Sequence, residues 1–416
     1  MKQARFSWFP LGFWLTLVLI IALPASSATK LTLWAWANQE VIDQFDAIAR
    51  WFRESNPDVE IEIAHITGSQ MDYLEKFLLA SAGGAVPDVA WIEGGQVKHL
   101  SALGLLVDVT QALDGLEFTP GETEEVTFAG RLYAAPYQCT SRALFKRIDL
   151  FEQAGLDPYR DDISLDELWE LNHRLSVVSA DGRYTRVGII PWTGNWGARG
   201  WIWGFGGELI EEVGNTFRPT ATLPRNIQAF EWLDLWGQHY QRNRAPVSTS
   251  RTGFSQGLTA MYLGSTSDAA VIIREGTDFT SGPVPHPDDV PKASWGGGYT
   301  IGIPTPPSGQ VKPEAFQLVR FFGTSEVQTR RFRQFESLLP ANWKALRTIA
   351  PSLPAPYAGL LAQLPYSRPR TPLSGEYNEQ LTNALNDVVT GKVTARAALE
   401  AVQVYMEARF VEVFGR

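Results

Sequence analysis

At 416 residues, with 44% hydrophobic and 19% charged content, the chain is long enough for two packed domains and too apolar for a disordered or coiled protein. A formal charge of −9 argues against nucleic acid or anionic lipid as partner, because both select clustered Lys and Arg. The single cysteine, Cys139, rules out an internal disulfide, so stability must come from the core alone.

Residues 1–28 read as a cleavable secretory signal. Lys2 and Arg5 begin it, an apolar run over 11–23 follows, and Ser26 and Ala28 are spaced for signal peptidase. The run is short for a bilayer span of about 20 residues. Thr29, not a cysteine, follows the expected cut, so anchoring by an acylated cysteine is not expected. Loss of Lys2 and Arg5 takes the formal charge from −9 to −11.

Residues 31–36 alternate as a strand, and Asn38 caps a helix to about Ser55 with Val41, Phe45, Ile48 and Phe52 on one face. Asn56-Pro57-Asp58 ends it. Val59, Ile61 and Ile63 alternate on a second strand, a helix runs from Gln70 to Gly83-Gly84, and 88–92 form a third strand. This alternation predicts a mainly parallel sheet with helices on its faces. Ligands in such sheets lie beyond the carboxyl ends of the strands, which deliver Trp36 with Asn38, the 67–69 turn, and Glu93 with Gly94-Gly95.

The second half is richer in helix. The pattern predicts helices over 144–154, from the Ser164/Glu167 capping box to about Val177, and over 224–242 with Pro at the start. A strand is expected over 183–190. Further helices are expected over 314–335, with a break at Gly323, then over 378–389 and 395–411. No linker or repeat separates the halves, so the chain should cross between them several times.

Fifteen tryptophans are the first functional hint. Trp192, Trp196, Trp201, Trp203 and Trp295 lie in turn-like, glycine-rich sequence, where a flat ring could stack on the C–H face of a pyranose while polar groups bond its hydroxyl edge. Trp51, Trp169, Trp232 and Trp236 fall on helical patterns and read as core.

The order of motifs resembles the extracellular solute-binding proteins of carbohydrate ABC transporters, the maltose-binding-protein-like group. The matching pieces are the strand ending in Trp36; Pro87-Asp88-Val89 with Trp91; Gly130-Arg131-Leu132-Tyr133 with Pro136; and Phe151-Glu152-Gln153-Ala154-Gly155-Leu156. They continue through Gly206-Gly207, Gly257 with Ala260-Met261, Trp295-Gly296-Gly297 leading to Ile301-Gly302-Ile303-Pro304, and Leu339-Pro340-Ala341. The resemblance implies an α/β, two-lobed periplasmic-binding-protein fold, each lobe a mainly parallel sheet flanked by helices, joined by hinge crossovers. The lobes would comprise 29–136 with 297–328, and 137–296 with 329–416. A carbohydrate would bind between them and pass to the transmembrane permease subunits of an ABC transporter. The protein would be monomeric and periplasmic, with no cofactor, no metal and no catalysis.

Carried over residue by residue, the ligand wall would include Trp36, Asn38, Glu93 and Tyr137 on one side. Trp192, Trp196, Trp203, Trp295, Gly296 and Gly297 would form the other, with Arg370 as a ligand-contacting arginine. The glycines beside Trp295 would let backbone N–H groups approach sugar hydroxyls. Several members that bind disaccharides carry an acidic ligand residue after the Tyr–Pro motif; this chain has Gln138-Cys139-Thr140-Ser141 there.

Rival chemistry is weaker. Gly253-Phe254-Ser255-Gln256-Gly257 matches a nucleophile elbow, with Asp268 and His286 downstream, but no apolar strand precedes the serine. A secreted glycoside hydrolase would share an aromatic cleft and needs two facing carboxyls, which no local sequence marks. The five histidines form no metal-spaced pair, and Cys139 reads as a small buried residue without an activating neighbour.

Overall fold

The computed structural model describes residues 28–194, 196–214, 216–240, 248–336 and 338–415. All of the signal read over 1–28 except Ala28 lies outside the described residues.

Period-two alternation turns Leu31, Leu33 and Ala35 of strand β1 (Thr29–Trp36) into the core. Helix α1 (Gln39–Ser55) lays Val41, Phe45, Ile48 and Phe52 on the same core. Burial of each such side chain contributes about 1.5–3 kcal/mol. Strand β2 (Val59–Ile66) runs parallel to β1 over its full length, from Thr29 opposite Val59 to Trp36 opposite Ile66. Helix α2 (Gln70–Gly83) opens on a Ser69–Asp72 capping box and closes on Gly84, whose φ of 70° is a left-handed cap. Strand β3 (Val89–Glu93) is parallel to β1 on its other side.

The sheet is completed from distant sequence. Tyr299–Gly302 lies antiparallel to β3, and Ala134–Pro136 lies beyond it. The carboxyl ends of the three parallel strands, at Trp36, Ile66 and Glu93, therefore share one edge.

A second sheet has Arg142–Arg147 at its centre, flanked by Met261–Ser265 and Phe279–Gly282. Both pairings are antiparallel, a departure from the parallel second sheet implied by resemblance. The helix expected over 144–154 is likewise divided: Arg142–Arg147 is strand and only Ile148–Gln153 is helix. Two strands from 115 or more residues away recruit this segment, and its local pattern carries no trace of them. Its alternation serves two cores: Phe145 packs with Phe254 and Phe279, while Leu144 faces Leu263 and the tryptophan-rich core.

That second core holds Trp196, Trp201 and Trp236, all fully buried. Trp169 meets Trp236 edge-on at 4.6 Å, and Trp232 lies 4.5 Å from Trp201. The closing helices, Ser374–Val389 and Ala395–Phe414, cover it through Tyr377, Leu381, Leu399 and Met406. The expected break at Gly323 is present between Pro313–Gly323 and Ser325–Phe335. The lobe boundary expected at 328/329 would fall inside Ser325–Phe335, whose Arg330 covers the Trp51 ring of α1 at 4.3 Å.

Three connecting segments run side by side between the sheets. Tyr137 N donates to Tyr299 O, and Cys139 N donates to Leu339 O. Gly298 has no room for a side chain, because a Cβ there would sit 1.8 Å from the Gln138 carbonyl. Cys139 is buried in this bundle, and burial holds its thiol well above the usual range. Among the described residues no helix is long and apolar enough to cross a membrane.

Candidate functional site

The edge formed by the carboxyl ends of the parallel strands faces a cleft of about 310 Å³. From the first sheet and its helix come Glu93, Gln70, Gln96 and Tyr299; from the opposite side come Arg142, Arg199, Trp295, Ser374 and Asn378, with Arg370 between. A larger surface groove of about 680 Å³, lined in part by Asp161, His286 and Lys292, touches no strand end of the first sheet.

A buried charge network forms the floor. Arg370 pairs with Glu93, and its Nε lies 4.0 Å from Glu125 Oε1. Glu122 and Glu125 stand one helical turn apart on Pro120–Val126, and both are fully buried. Glu122 accepts from Thr119 Oγ1 and from the Gly297 N–H at 3.2 Å. Glu125 accepts from the N–H groups of Gly298 at 3.0 Å and Arg370 at 3.1 Å.

Burial drives the Glu125 carboxyl up to about 7, against the Arg370 charge and with the help of neighbouring Glu122. Burial also raises Glu122. Burial opposes the Arg370 charge too, but Glu93 and Glu125 outweigh it and hold that guanidinium above its ordinary value. Arg142 and Arg199 are pushed down to about 9 and about 10, first by burial and then by Arg370, so both stay cationic at neutral pH.

Two guanidiniums approach the Trp295 ring, with Arg142 Cζ 4.1 Å and Arg199 Cζ 5.3 Å from its centre. Arg142 Nη1 also donates to the Trp295 carbonyl at 3.0 Å, which fixes the turn. Arg199 sits on the short helix Gly197–Gly204, where Gly200 is obligatory because a Cβ would meet the Trp196 ring at 2.3 Å.

Of the residues expected from sequence, Glu93, Trp295 and Arg370 come together in the cleft. Trp36 does not line it; it is the far end of an aromatic row through Trp91, at 5.8 Å, to Tyr299, at 5.0 Å from Trp91. Asn38 is exposed at the start of α1. Tyr137 is buried against Phe45 and Phe322, and Trp196 and Trp203 are buried in the tryptophan-rich core, so none of the three lines the cleft. Trp192 packs edge-on against Tyr240 at 6.1 Å, in the same core. Local glycines do not signal exposure for these rings, since Gly200 makes room for Trp196 itself.

The backbone reading of Gly296 and Gly297 also changes. The three N–H groups of 296–298 are taken up by Arg368 O, Glu122 and Glu125. Gly297, at φ 101°, leaves room for Arg370 and Glu125, each 2.8 Å from where its Cβ would lie. These glycines seat the charge network.

Arg142, Arg199, Glu122, Glu125 and Tyr299 were not anticipated. Arg199 offered a signal, a lone charge inside the aromatic run Gly-Ala-Arg-Gly-Trp-Ile-Trp. So did the Glu122/Glu125 pair, spaced to share a helix face.

The elbow-like Gly253–Gly257 sequence has no nucleophile geometry. Ser255 ends the helical turn Arg251–Ser255 and its hydroxyl donates to Glu275 at 2.6 Å, while Asp268 accepts from Ser265 at the start of another helix.

Residues 33–329 match the family described as bacterial extracellular solute-binding protein. The fold is similar to that of the sugar-binding protein MalE from Xanthomonas citri, with a TM-score of 0.75 and 19% identity over 93% of this chain and 98% of that one. It is equally similar to a cyclo/maltodextrin-binding protein complexed with maltotetraose, with a TM-score of 0.75 and 17% identity over 92% and 97%. A lactose-binding protein of Rhizobium radiobacter is 24% identical over 147 residues, 35% of each chain. An uncharacterised ABC transporter extracellular-binding protein of Pyrococcus horikoshii is 23% identical over 124 residues. The chain thus spans about a third of the length of the curated relatives it matches.

Proposed function

We propose that this chain, which belongs to the bacterial extracellular solute-binding protein family, captures a carbohydrate in the cleft and hands it to the permease subunits of an ABC importer. The observation that carries the reading is the cleft itself. One indole, Trp295, stands among hydrogen-bonding side chains drawn from both sheets, at the strand ends where α/β folds hold ligands. The sugar-binding relatives support the same class of ligand. A volume at the small end of the usual range of about 300–1,000 Å³ suits one or two sugar rings.

In this reading Glu93, Trp295 and Arg370 contact the sugar together with Arg142, Arg199 and Tyr299, and the buried tryptophans hold the wall. The lobes are 29–136 with the strand near 300, and the segments carrying Arg142–Arg147 and the closing helices; they hinge at the bundle of segments near 138, 298 and 339. The protein is a monomer that binds without turnover. It works in the periplasm, freed from its signal after Ala28 and carrying no lipid.

The test is a thermal-shift screen of mono-, di- and oligosaccharides followed by calorimetry and product analysis, since a ligand that binds only the native state raises its melting temperature. A sugar that binds and is recovered intact supports the reading. A sugar that is hydrolysed, or a complete lack of response, overturns it.

A further inference from the structure

The cleft is lined by three guanidiniums and one carboxylate, and that carboxylate, Glu93, is already paired with Arg370. Arg199 stands apart. It is 1% exposed and among the described residues has no ion-pair partner. Its Nη1 donates to Ser374 Oγ at 3.2 Å and its Nη2 to the Ser374 carbonyl at 2.7 Å, while Nε has no hydrogen-bond partner. Glu93 and Glu125 act on this charge only through space; a buried charge whose hydrogen-bond acceptors are all neutral is costly, and a group of opposite sign in contact with it relieves that cost.

Two further features at the same place favour negative charge. Trp295 Nε1, a donor only, is buried without an acceptor. Ser374 and Gly375 line the cleft and open the helix Ser374–Val389, 16 residues long, whose cap position is Leu373 at φ 54° with no side-chain cap. Uncapped N–H groups and the helix dipole make that end a seat for an anion. A neutral sugar has hydroxyls for Gln96 Oε1, which also lacks a partner, but nothing to offset the Arg199 charge.

We propose that the sugar taken up here carries an anionic group, a carboxylate or a phosphate ester, held by Arg199, Trp295 Nε1 and the amino end of helix Ser374–Val389. The inference rests on the reading of the cleft as a sugar site. Arg142, on the Trp295 ring, adds positive potential, and the flat guanidinium fork of Arg199 suits the planar oxygens of a carboxylate. The chain as a whole is acidic, so the cationic cleft is a local feature and not a reflection of overall charge.

Calorimetry on the full exported chain compares galacturonate, glucuronate and digalacturonate with galactose, glucose and lactose, and adds glucose 6-phosphate and inorganic phosphate. At least one acidic sugar should bind about tenfold or more tightly than its neutral parent, the size expected of hydrogen bonds to a charged group. Whether uronates or the phosphate ester respond identifies the anion. Arg199→Gln should abolish the preference and Arg199→Lys retain part of it, with melting curves reporting the fold of each. Neutral parents binding as tightly as acidic sugars would overturn the inference while leaving the sugar reading intact. Inorganic phosphate binding as tightly as the sugar ester would overturn it as well, by reducing the site to a bare anion seat. No response to any saccharide, acidic or neutral, would instead remove the sugar reading beneath it.

Discussion

Glu125→Gln isolates the charge network in the cleft floor. In the fold this carboxyl titrates near 7, against an ordinary value of 4.5, because burial penalises its charged form. The native state therefore holds a proton that the unfolded chain has already released, and stability falls as pH rises from about 4.5 through about 7. Linkage puts the loss attributable to Glu125 at about 2 kcal/mol between pH 5.5 and pH 8. Glutamine cannot ionise, so the variant should lack this slope. It retains one acceptor oxygen for two backbone donors, Gly298 N and Arg370 N, and leaving one of them unsatisfied costs about 1–3 kcal/mol at every pH. Urea unfolding of both proteins across that pH range, taken as a difference, cancels the histidines and other common groups. The variant should be less stable than the parent at pH 5.5 and should recover most of the gap by pH 8. Parallel profiles would refute the reasoning, since they would mean that Glu125 does not titrate in the native state within this range.

His99 should act in the opposite direction. Burial lowers it to about 4, and both ring nitrogens lack hydrogen-bond partners, so the native state stays neutral where the unfolded chain is protonated. Stability falls as pH drops from about 6.5 towards 4, by about 2–3 kcal/mol at pH 4.5, and His99→Leu should flatten that acid limb in unfolding titrations. Gly200→Ala should cost about 1–3 kcal/mol by forcing a Cβ against the Trp196 ring, and calorimetry should show weakened sugar binding through displaced Arg199. Trp295→Ala should lose about tenfold in sugar affinity with little change in melting temperature, whereas Trp236→Ala should lose about 3–5 kcal/mol of stability. Small-angle scattering should give a smaller radius of gyration with a bound sugar than without, and an unchanged radius at saturation would argue against closure.

Elements built from their own sequence were legible. The alternation of β1, the Ser164 capping box and the break at Gly323 all depend on neighbours a few residues away. The strand Arg142–Arg147 was misread because its partners are far off in the chain. The same distinction runs through the site. Glu93 follows from the end of a readable strand, and Trp295 and Arg370 from motif order. Trp196 was misplaced because a glycine-rich context can mean a ring packed on a glycine as easily as a ring free to meet a ligand. Arg142 matters through what surrounds it in space, which one-dimensional pattern does not encode.

The strand Tyr299–Gly302 sits inside the first sheet, yet Thr300 is made 208 residues after its neighbour Ile92. At about 5–20 residues per second, a ribosome needs on the order of 10–40 s to supply that missing strand. During this interval the amino-terminal strands have no complete sheet to join, and β3 presents an open edge. An unpaired strand edge of this kind is a template for pairing with another chain. Delayed topology of this kind ties completion of the first sheet to the last third of synthesis.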